Sequence, residues 1–124
     1  MNPLNTIISR AKKDKLVLAV ALFGSYARGE AHRDIDICIF LQPKTYSQLD
    51  LSKKKLSYQP DNEKYDVQIF QQLPLYIRKR ILKEGRILYC KDEDTLYDTY
   101  FRTIKDFNLF ELYYEQYLAA VERG

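Results

Sequence analysis

The chain has 124 residues, 46% hydrophobic and 30% charged, as is typical of one soluble globular domain. Its net charge of +3, from 20 basic and 17 acidic residues, is too small to indicate direct nucleic-acid binding. The longest apolar run, residues 16–23, is too short to cross a membrane, and no signal-peptide pattern precedes it. We therefore expect a cytoplasmic protein in which Cys38 and Cys90 are buried, reduced thiols.

The first half of the chain predicts two helices and two strands. Apolar residues at helical spacing predict a first helix over residues 4–14. The continuous apolar run 16–23, ended by Gly24, predicts a central strand buried on both faces. Residues 25–31 favour a short helix, and the alternating residues 34–40 favour a second strand with its isoleucines on one face.

The second half of the chain continues the alternation of helices and strands. Its elements are a polar helix (45–57), a turn (58–64), a strand (65–70), a helix opened by Pro74 and closed by Gly85, and an extended stretch (86–90). Asp92 suits the N-cap of a long amphipathic C-terminal helix, with a break predicted near Asn108. This order predicts an α/β (α+β) protein, with a small mixed β-sheet flanked by helices.

Candidate functional residues concentrate between residues 24 and 36. A Gly24–Ser25 step at the end of a buried strand lets backbone amides and a hydroxyl approach an anion, most naturally phosphate. Asp34 and Asp36 lie at i and i+2, so their carboxylates project from one face of a strand. Neighbouring carboxylates repel each other unless a cation lies between them, and Mg²⁺ suits such a pair together with substrate phosphates. The structural alternative is a tight turn followed by two solvated acids.

A third carboxylate is expected from a neighbouring strand. The apolar residues of the predicted strand 65–70 face the core, which places Asp66 and Gln68 on the opposite face. Three acids on adjacent strands could hold two metal ions, or one metal ion while one acid deprotonates an attacking hydroxyl. Asp61 and Glu63 are competing candidates, but they lie in the predicted turn, where acids are normally solvated.

This arrangement resembles the nucleotidyltransferase superfamily of DNA polymerase β: a strand ending in Gly-Ser, an Asp-x-Asp pair, then a third Asp. The chain is particularly similar to minimal nucleotidyltransferase (MNT) domains, the MntA-type antitoxins that pair with HEPN toxins. The similarity covers most of residues 15–118 and extends beyond the site to residues 65–67, 73–74, 83–92 and 106–107. It implies one minimal domain over residues 1–124, with a core at about 15–90 and a C-terminal helical segment at about 92–122.

The resemblance implies a nucleotide site at the Gly-Ser turn. By similarity, Gly24 and Ser25 would hold the β- and γ-phosphates of ATP, and Arg28 would reach the same phosphates unless it is simply a solvated charge. The only histidine, His32, is expected to be exposed and inert. The family usually has about ten residues between the serine of the Gly-Ser step and the first acid of the pair, and a second serine just before that acid. Here the intervening loop, residues 26–33, is shorter and ends in arginine.

The resemblance also implies the roles of the three acids. Asp34 and Asp36 would coordinate one or two Mg²⁺ ions, and Asp66 would complete the metal site and help to deprotonate the acceptor hydroxyl. That hydroxyl would attack the α-phosphorus of ATP and release pyrophosphate. The chain would thus be an enzyme that transfers AMP to a hydroxyl of a partner.

The short chain leaves little room for a separate acceptor domain. The resemblance therefore implies that a HEPN-family RNase toxin supplies the acceptor, a tyrosine, and that this chain is its antitoxin. Part of the aromatic stripe in the last helix would contact this partner, and the rest would pack on the sheet; the stripe comprises Tyr97, Tyr100, Phe101, Phe107, Phe110, Tyr113, Tyr114 and Tyr117. Two alternatives stay open: an antitoxin that acts by binding alone, and a small-molecule nucleotidyltransferase.

Overall fold

The computed structural model describes residues 2–27, 29 and 34–123, with the side chains of residues 25, 26 and 123 excluded. The helices are α1 (Pro3–Lys13), α2 (Gly24–Ala27), α3 (Gln48–Tyr58), α4 (Leu75–Glu84) and α5 (Glu93–Arg123), and the strands are β1 (Val17–Phe23), β2 (Ile35–Leu41), β3 (Tyr65–Ile69) and β4 (Arg86–Cys90). A 3-10 turn over Phe70–Gln72 follows β3. Among these residues, no helix is both long and apolar enough to span a membrane.

The four strands form one mixed sheet in the order β3-β2-β1-β4. β1 is antiparallel to both β2 and β4, whereas β2 and β3 are parallel. As a result, the end of β1 and the beginnings of β2 and β3 meet at one end of the sheet. β3 lies at an outer edge of the sheet, which leaves one side of its backbone without a neighbouring strand.

Side-chain alternation along the strands divides the core into two layers. On one face of the sheet, α1 and α3 cover a cluster that includes the three isoleucines of β2, Ile35, Ile37 and Ile39, as the alternating pattern predicts. On the other face, α4 and α5 cover a cluster that includes Cys38 and Phe40. The predicted α/β fold, with a small mixed sheet flanked by helices, is therefore confirmed.

Local capping chemistry explains several element boundaries. Ser47 begins α3 by accepting a hydrogen bond from the Asp50 amide at 3.0 Å. Asp92 caps α5 as predicted: its carboxylate accepts from the Asp94 amide at 3.1 Å and from the Thr95 hydroxyl at 2.8 Å. Gly85 follows α4 with an ordinary negative φ, so its small size, and not a left-handed conformation, suits this position: a Cβ there would lie 2.5 Å from the Ile81 carbonyl oxygen.

Two sequence-based expectations need correction. The predicted break near Asn108 is wrong, because α5 runs without interruption from residue 93 to residue 123. Asparagine costs a helix only a few tenths of a kcal/mol relative to average residues, and α5 contains no glycine or proline. The two cysteines are free thiols, as expected, but only Cys38 is buried, whereas Cys90 is half-buried.

Candidate active site

Asp36 and Asp66 meet at the end of the sheet where β1, β2 and β3 converge. The parallel register places Asp36 of β2 directly beside Asp66 of β3, and the antiparallel register places Asp36 beside Phe23 of β1. Because residues paired in register share a face, the two carboxylates are neighbours on the side of the sheet that α4 and α5 cover. Both side chains are half-buried. The structure thus brings together two of the three predicted acids on rigid strands.

Gly24 completes this arrangement from β1. It is the first residue of α2 and has a φ of +74°, in the left-handed region that favours glycine. A Cβ built on Gly24 would lie 2.4 Å from Oδ2 of Asp36. The position therefore requires glycine twice, for its backbone conformation and for the close approach of the backbone to the carboxylate.

The electrostatics of the site oppose ionisation of Asp36. Burial raises the pKa of the Asp36 carboxyl, and the negative charges of Asp66 and Asp34 raise it further. All three causes act in the same direction. Concentrating carboxylates in this way costs stability unless a cation compensates for their charge.

The other predicted site residues lie around this pair. Asp34 precedes β2 and is exposed, so only Asp36 of the Asp-x-Asp pair lies within the strand. Ser25 is the second residue of α2, directly after Gly24, but its side chain is not among those described. Arg28, His32 and the arginine at position 33 lie outside the described residues.

The competing acids lie outside the strands of the sheet. Asp61 and Glu63 are exposed in the segment between α3 and β3, as the turn prediction indicated. The choice of Asp66 as the third acid is thus consistent with the register of β3, which aligns it with Asp36. A cavity of about 620 Å³ lies at the opposite end of β1, and its lining includes Leu16, Leu41 and Lys54. Neither Asp36 nor Asp66 lines this cavity.

The donor set suits a magnesium ion that arrives with phosphates. Among the described residues, no three histidine, cysteine or acidic side chains are grouped closely enough to form a ready metal cage. Mg²⁺ does not need one, since it commonly binds through one or two carboxylates together with substrate phosphates and water. Asp36 and Asp66 provide such a pair, and the pKa of Asp36 is raised by burial and by the charges of Asp66 and Asp34, the last two of which a cation would offset.

Sequence reasoning missed the residues that hold Asp66. Oδ2 of Asp66 accepts a hydrogen bond from Nε2 of Gln68 at 3.0 Å, and Oε1 of Gln68 accepts one from Nζ of Lys55 at 3.3 Å. The side-chain alternation of β3 places Gln68 on the Asp66 face, but nothing in the sequence links it to Lys55. The sequence 53–55 reads as a solvated basic run, yet Lys54 pairs with Asp14 at 2.9 Å and Lys55 faces Gln68.

Comparison with known proteins identifies relatives of this fold. The family described as "Polymerase beta, Nucleotidyltransferase" matches residues 5–94. A Methanocaldococcus jannaschii protein named as a protein adenylyltransferase is 37% identical over 76 residues, which represent 59% of this chain. The match spans only 56% of the length of that relative.

Two solved structures share the fold over nearly the whole chain. One, described as a toxin–antitoxin with AMP-PNP, has a TM-score of 0.66 and 20% identity, with 98% of each chain covered. The other, described as a tri-AMPylated Shewanella oneidensis HEPN toxin in complex with MNT antitoxin, has a TM-score of 0.65 and 14% identity, with 95% of this chain and 92% of that chain covered. The family match includes all four strands and the three acids, and on this evidence the chain belongs to the polymerase β nucleotidyltransferase family.

Proposed function

We propose that this chain is an antitoxin that transfers AMP from ATP to a hydroxyl, a tyrosine, of a HEPN-family toxin. The observation that carries the proposal is the in-register pairing of Asp36 with Asp66 under the Gly24 turn. A nucleotidyltransferase needs carboxylates that are fixed on rigid elements. Beside them it needs a turn whose backbone can approach a phosphate closely. The names of the relatives support the transfer of AMP, and the AMP-PNP complex supports ATP as the donor.

In the proposed reaction, the residues of this chain mainly position the reactants. Gly24 and Ser25, with Arg28, would hold the β- and γ-phosphates, while Asp34 and Asp36 would hold Mg²⁺ and Asp66 would complete the metal site. The bound ion would supply neutralisation of the phosphate charge. Asp66 would accept the proton of the acceptor hydroxyl, whose oxygen forms a bond to the α-phosphorus. The bond between the α-phosphorus and the bridging oxygen breaks at the same centre, and pyrophosphate leaves.

The outer half of α5 supports a protein as the acceptor. In the first half of the helix, the ring of Tyr100 stacks with that of Phe40, with the ring centroids 6.2 Å apart. Nζ of Lys79 lies 4.1 Å from the ring centroid of Phe107. The next turns present a continuing aromatic and aliphatic stripe, Phe110, Tyr113, Tyr114, Tyr117 and Val121, and all of these side chains are exposed. Tyr97 and Phe101 are exposed as well, whereas Tyr100 and Phe107 of the predicted stripe are half-buried against other elements of the chain.

This exposed stripe, residues 110–121, also favours the second candidate function. Contiguous apolar surface of this kind typically marks a protein-binding surface. A chain that binds the toxin through this stripe would neutralise it without any transfer. The two candidates therefore share a partner and differ in the requirement for the carboxylates.

Labelled ATP separates the two candidates. The chain is incubated with Mg²⁺, ATP labelled at the α-phosphate and the HEPN-family protein, and an Asp34→Asn, Asp36→Asn double variant is tested in parallel. We expect label on the tyrosine of the partner with the wild-type chain and none with the double variant. Label on a metabolite would instead support the small-molecule alternative.

Two further outcomes define the role of the partner surface. A stable complex without any label would replace the transferase by the binding antitoxin. A Phe110→Ser, Tyr117→Ser variant is expected to weaken the complex by about tenfold or more, as loss of interface aromatics commonly does. The matched control is Leu56→Ser, which changes an equally exposed residue on α3 and is expected to leave binding unchanged.

A further inference from the structure

Asp66 lies on β3, which pairs with only one strand, β2, among the residues that the structure describes. β2 holds β3 on one side only. An edge strand frays more easily than a central one, because half of its backbone groups lack a ladder partner. A carboxylate that must act at a fixed point therefore needs support from outside the sheet.

The backbone on both sides of Asp66 receives this support from Gln59. Oε1 of Gln59 accepts a hydrogen bond from the Val67 amide at 2.9 Å, and Nε2 of Gln59 donates to the Tyr65 carbonyl at 2.6 Å. One amide side chain thus replaces a missing strand at the two residues that flank Asp66. Gln59 is the residue that ends α3, so the helix and the edge strand are fixed to each other at this point.

The Asp66 side chain is held by a second glutamine, Gln68. Nε2 of Gln68 donates to Oδ2 of Asp66, and within the described part of the chain no hydrogen bond is made to Oδ1. Nζ of Lys55 donates to Oε1 of Gln68. An ammonium group can only donate, so Lys55 requires the oxygen of the Gln68 amide on its own side and turns the NH₂ group toward Asp66. The reverse orientation would place two acceptors, Oε1 and Oδ2, against each other.

Lys55 reaches this amide around the edge of the sheet. The buried residues of α3, Leu51 and Tyr58, belong to the core on the opposite face from Gln68. Lys55, Gln68 and Asp66 are all half-buried, so their hydrogen bonds are less exposed to competition from water than those of surface residues. The same helix therefore contributes to both supports of Asp66, through Lys55 and through Gln59.

We propose that Gln68 is a positioning residue that holds Asp66 Oδ1 toward the acceptor hydroxyl, and that Lys55 acts through Gln68 by fixing the direction of its amide. This inference rests on the proposed function, because it assumes that Asp66 takes part in nucleotidyl transfer. Both residues would act through Asp66, so we expect their effect on the rate of transfer and not on nucleotide binding.

Steady-state kinetics of labelled transfer test the positioning role. We expect Gln68→Leu, which keeps the side-chain volume, to lower kcat by about 10- to 100-fold while the KM for ATP and the Tm stay near the wild-type values. Lys55→Met is expected to lower kcat less. It should have no further effect in the Gln68→Leu background, since Lys55 acts only through Gln68. The matched controls are Gln72→Leu, which removes a glutamine bonded to Ser52, and Lys53→Met, a neighbouring exposed lysine on α3.

Nuclear magnetic resonance tests the contact without any turnover. The Gln68 side-chain NH₂ signals, identified by their loss in Gln68→Leu, are expected to shift in both Lys55→Met and Asp66→Asn and to stay in place in Lys53→Met. Unchanged signals in both variants would overturn the arrangement, whatever the activity. Wild-type kcat in Gln68→Leu, or an additive effect of Lys55→Met in its background, would overturn the positioning role. Failure of the proposed function differs, because the wild-type chain itself would then transfer no label.

Discussion

Asp14 and Asp36 show two opposite ways of placing a carboxylate in this protein. Asp14 follows α1 and accepts hydrogen bonds from Lys54 at 2.9 Å, the Tyr58 hydroxyl at 2.9 Å and the Leu16 amide at 3.0 Å. Burial alone would raise the pKa of Asp14, but these donors outweigh it and lower the pKa. The pKa of Asp36 is raised instead, because burial acts together with two neighbouring carboxylates.

This difference is the one expected between a carboxylate that stabilises the fold and one that is proposed to bind a cation. The donors around Asp14 connect α1, α3 and the start of β1, so its charge contributes to the fold. Asp36 is half-buried and has two acidic neighbours, Asp66 and Asp34, an arrangement that costs stability and that a bound cation would offset. We therefore expect mutations of the two residues to have opposite effects on stability and activity.

The largest expected effect is the loss of transfer in Asp36→Asn. Asp36 is proposed to hold the Mg²⁺ that neutralises the phosphate charge. Its replacement should therefore lower kcat for labelled AMP transfer by about 10²- to 10³-fold. In the absence of divalent ions, the Tm should not fall, because the substitution relieves repulsion with Asp66 and Asp34. Thermal unfolding and the transfer assay on one preparation check both parts. A fall in Tm of several degrees would contradict this account of Asp36.

The second prediction compares two glycines with the same backbone conformation. Gly24 and Gly29 have φ values of +74° and +76°, but a Cβ meets Asp36 Oδ2 only at Gly24, whereas at Gly29 nothing lies within 4 Å. Each alanine substitution should cost about 1–2 kcal/mol of stability for the left-handed conformation. We expect only Gly24→Ala to lower kcat strongly, by about tenfold or more, because it displaces Asp36. Equal losses of activity would show that backbone strain, not the close approach, matters.

The third prediction concerns Asp14→Asn, the counterpart of the first. It should lower the free energy of unfolding by about 1–2 kcal/mol, because it weakens charge-assisted hydrogen bonds that are partly screened by solvent. The kcat per folded molecule should stay unchanged. Chemical denaturation measures the free energy of unfolding, and the transfer assay measures kcat. The control is Asp50→Asn, at an exposed position of α3.

The smallest expected effect is a difference in pH dependence. Because the pKa of Asp14 is lowered in the fold, its contribution is fully present above the unfolded value of 3.8 and is lost as pH falls below it. Because the pKa of Asp36 is raised, its cost disappears as pH falls toward 3.8 from above. As the pH is lowered, any increase in Tm of Asp36→Asn over the wild type should therefore disappear first. The decrease in Tm of Asp14→Asn should disappear only at lower pH. Parallel curves would contradict the assigned pKa directions.

Much of the fold could be predicted because its signals are local. The apolar run ended by Gly24 identifies β1, and the alternation from residue 34 to residue 40 identifies β2 with its core face. Asp92 marks the start of α5 because its carboxylate caps the first turn. The continuity of α5 was not predicted, because asparagine at position 108 resembles a helix-breaking signal but weakens a helix only slightly.

The candidate site was predictable only in part, because its geometry depends on pairing between distant strands. The sequence nominates Asp36 and Asp66, but their direct register pairing follows from the parallel arrangement of β2 and β3. The supports of Asp66 were not foreseen, since Lys55 lies on a helix predicted to be polar and Gln59 falls in the predicted turn that follows it. Their roles arise from a helix that packs behind an edge strand, and no local pattern encodes that placement.

The central claim is that the Asp36–Asp66 pair performs nucleotidyl transfer. The most direct test measures transfer from ATP labelled at the α-phosphate, with Mg²⁺ and the HEPN-family partner, for the wild type, Asp36→Asn and Asp14→Asn. The account predicts label on the partner with the wild type and with Asp14→Asn, and a loss of about 10²-fold or more with Asp36→Asn. Equal labelling by Asp36→Asn and the wild type would contradict it.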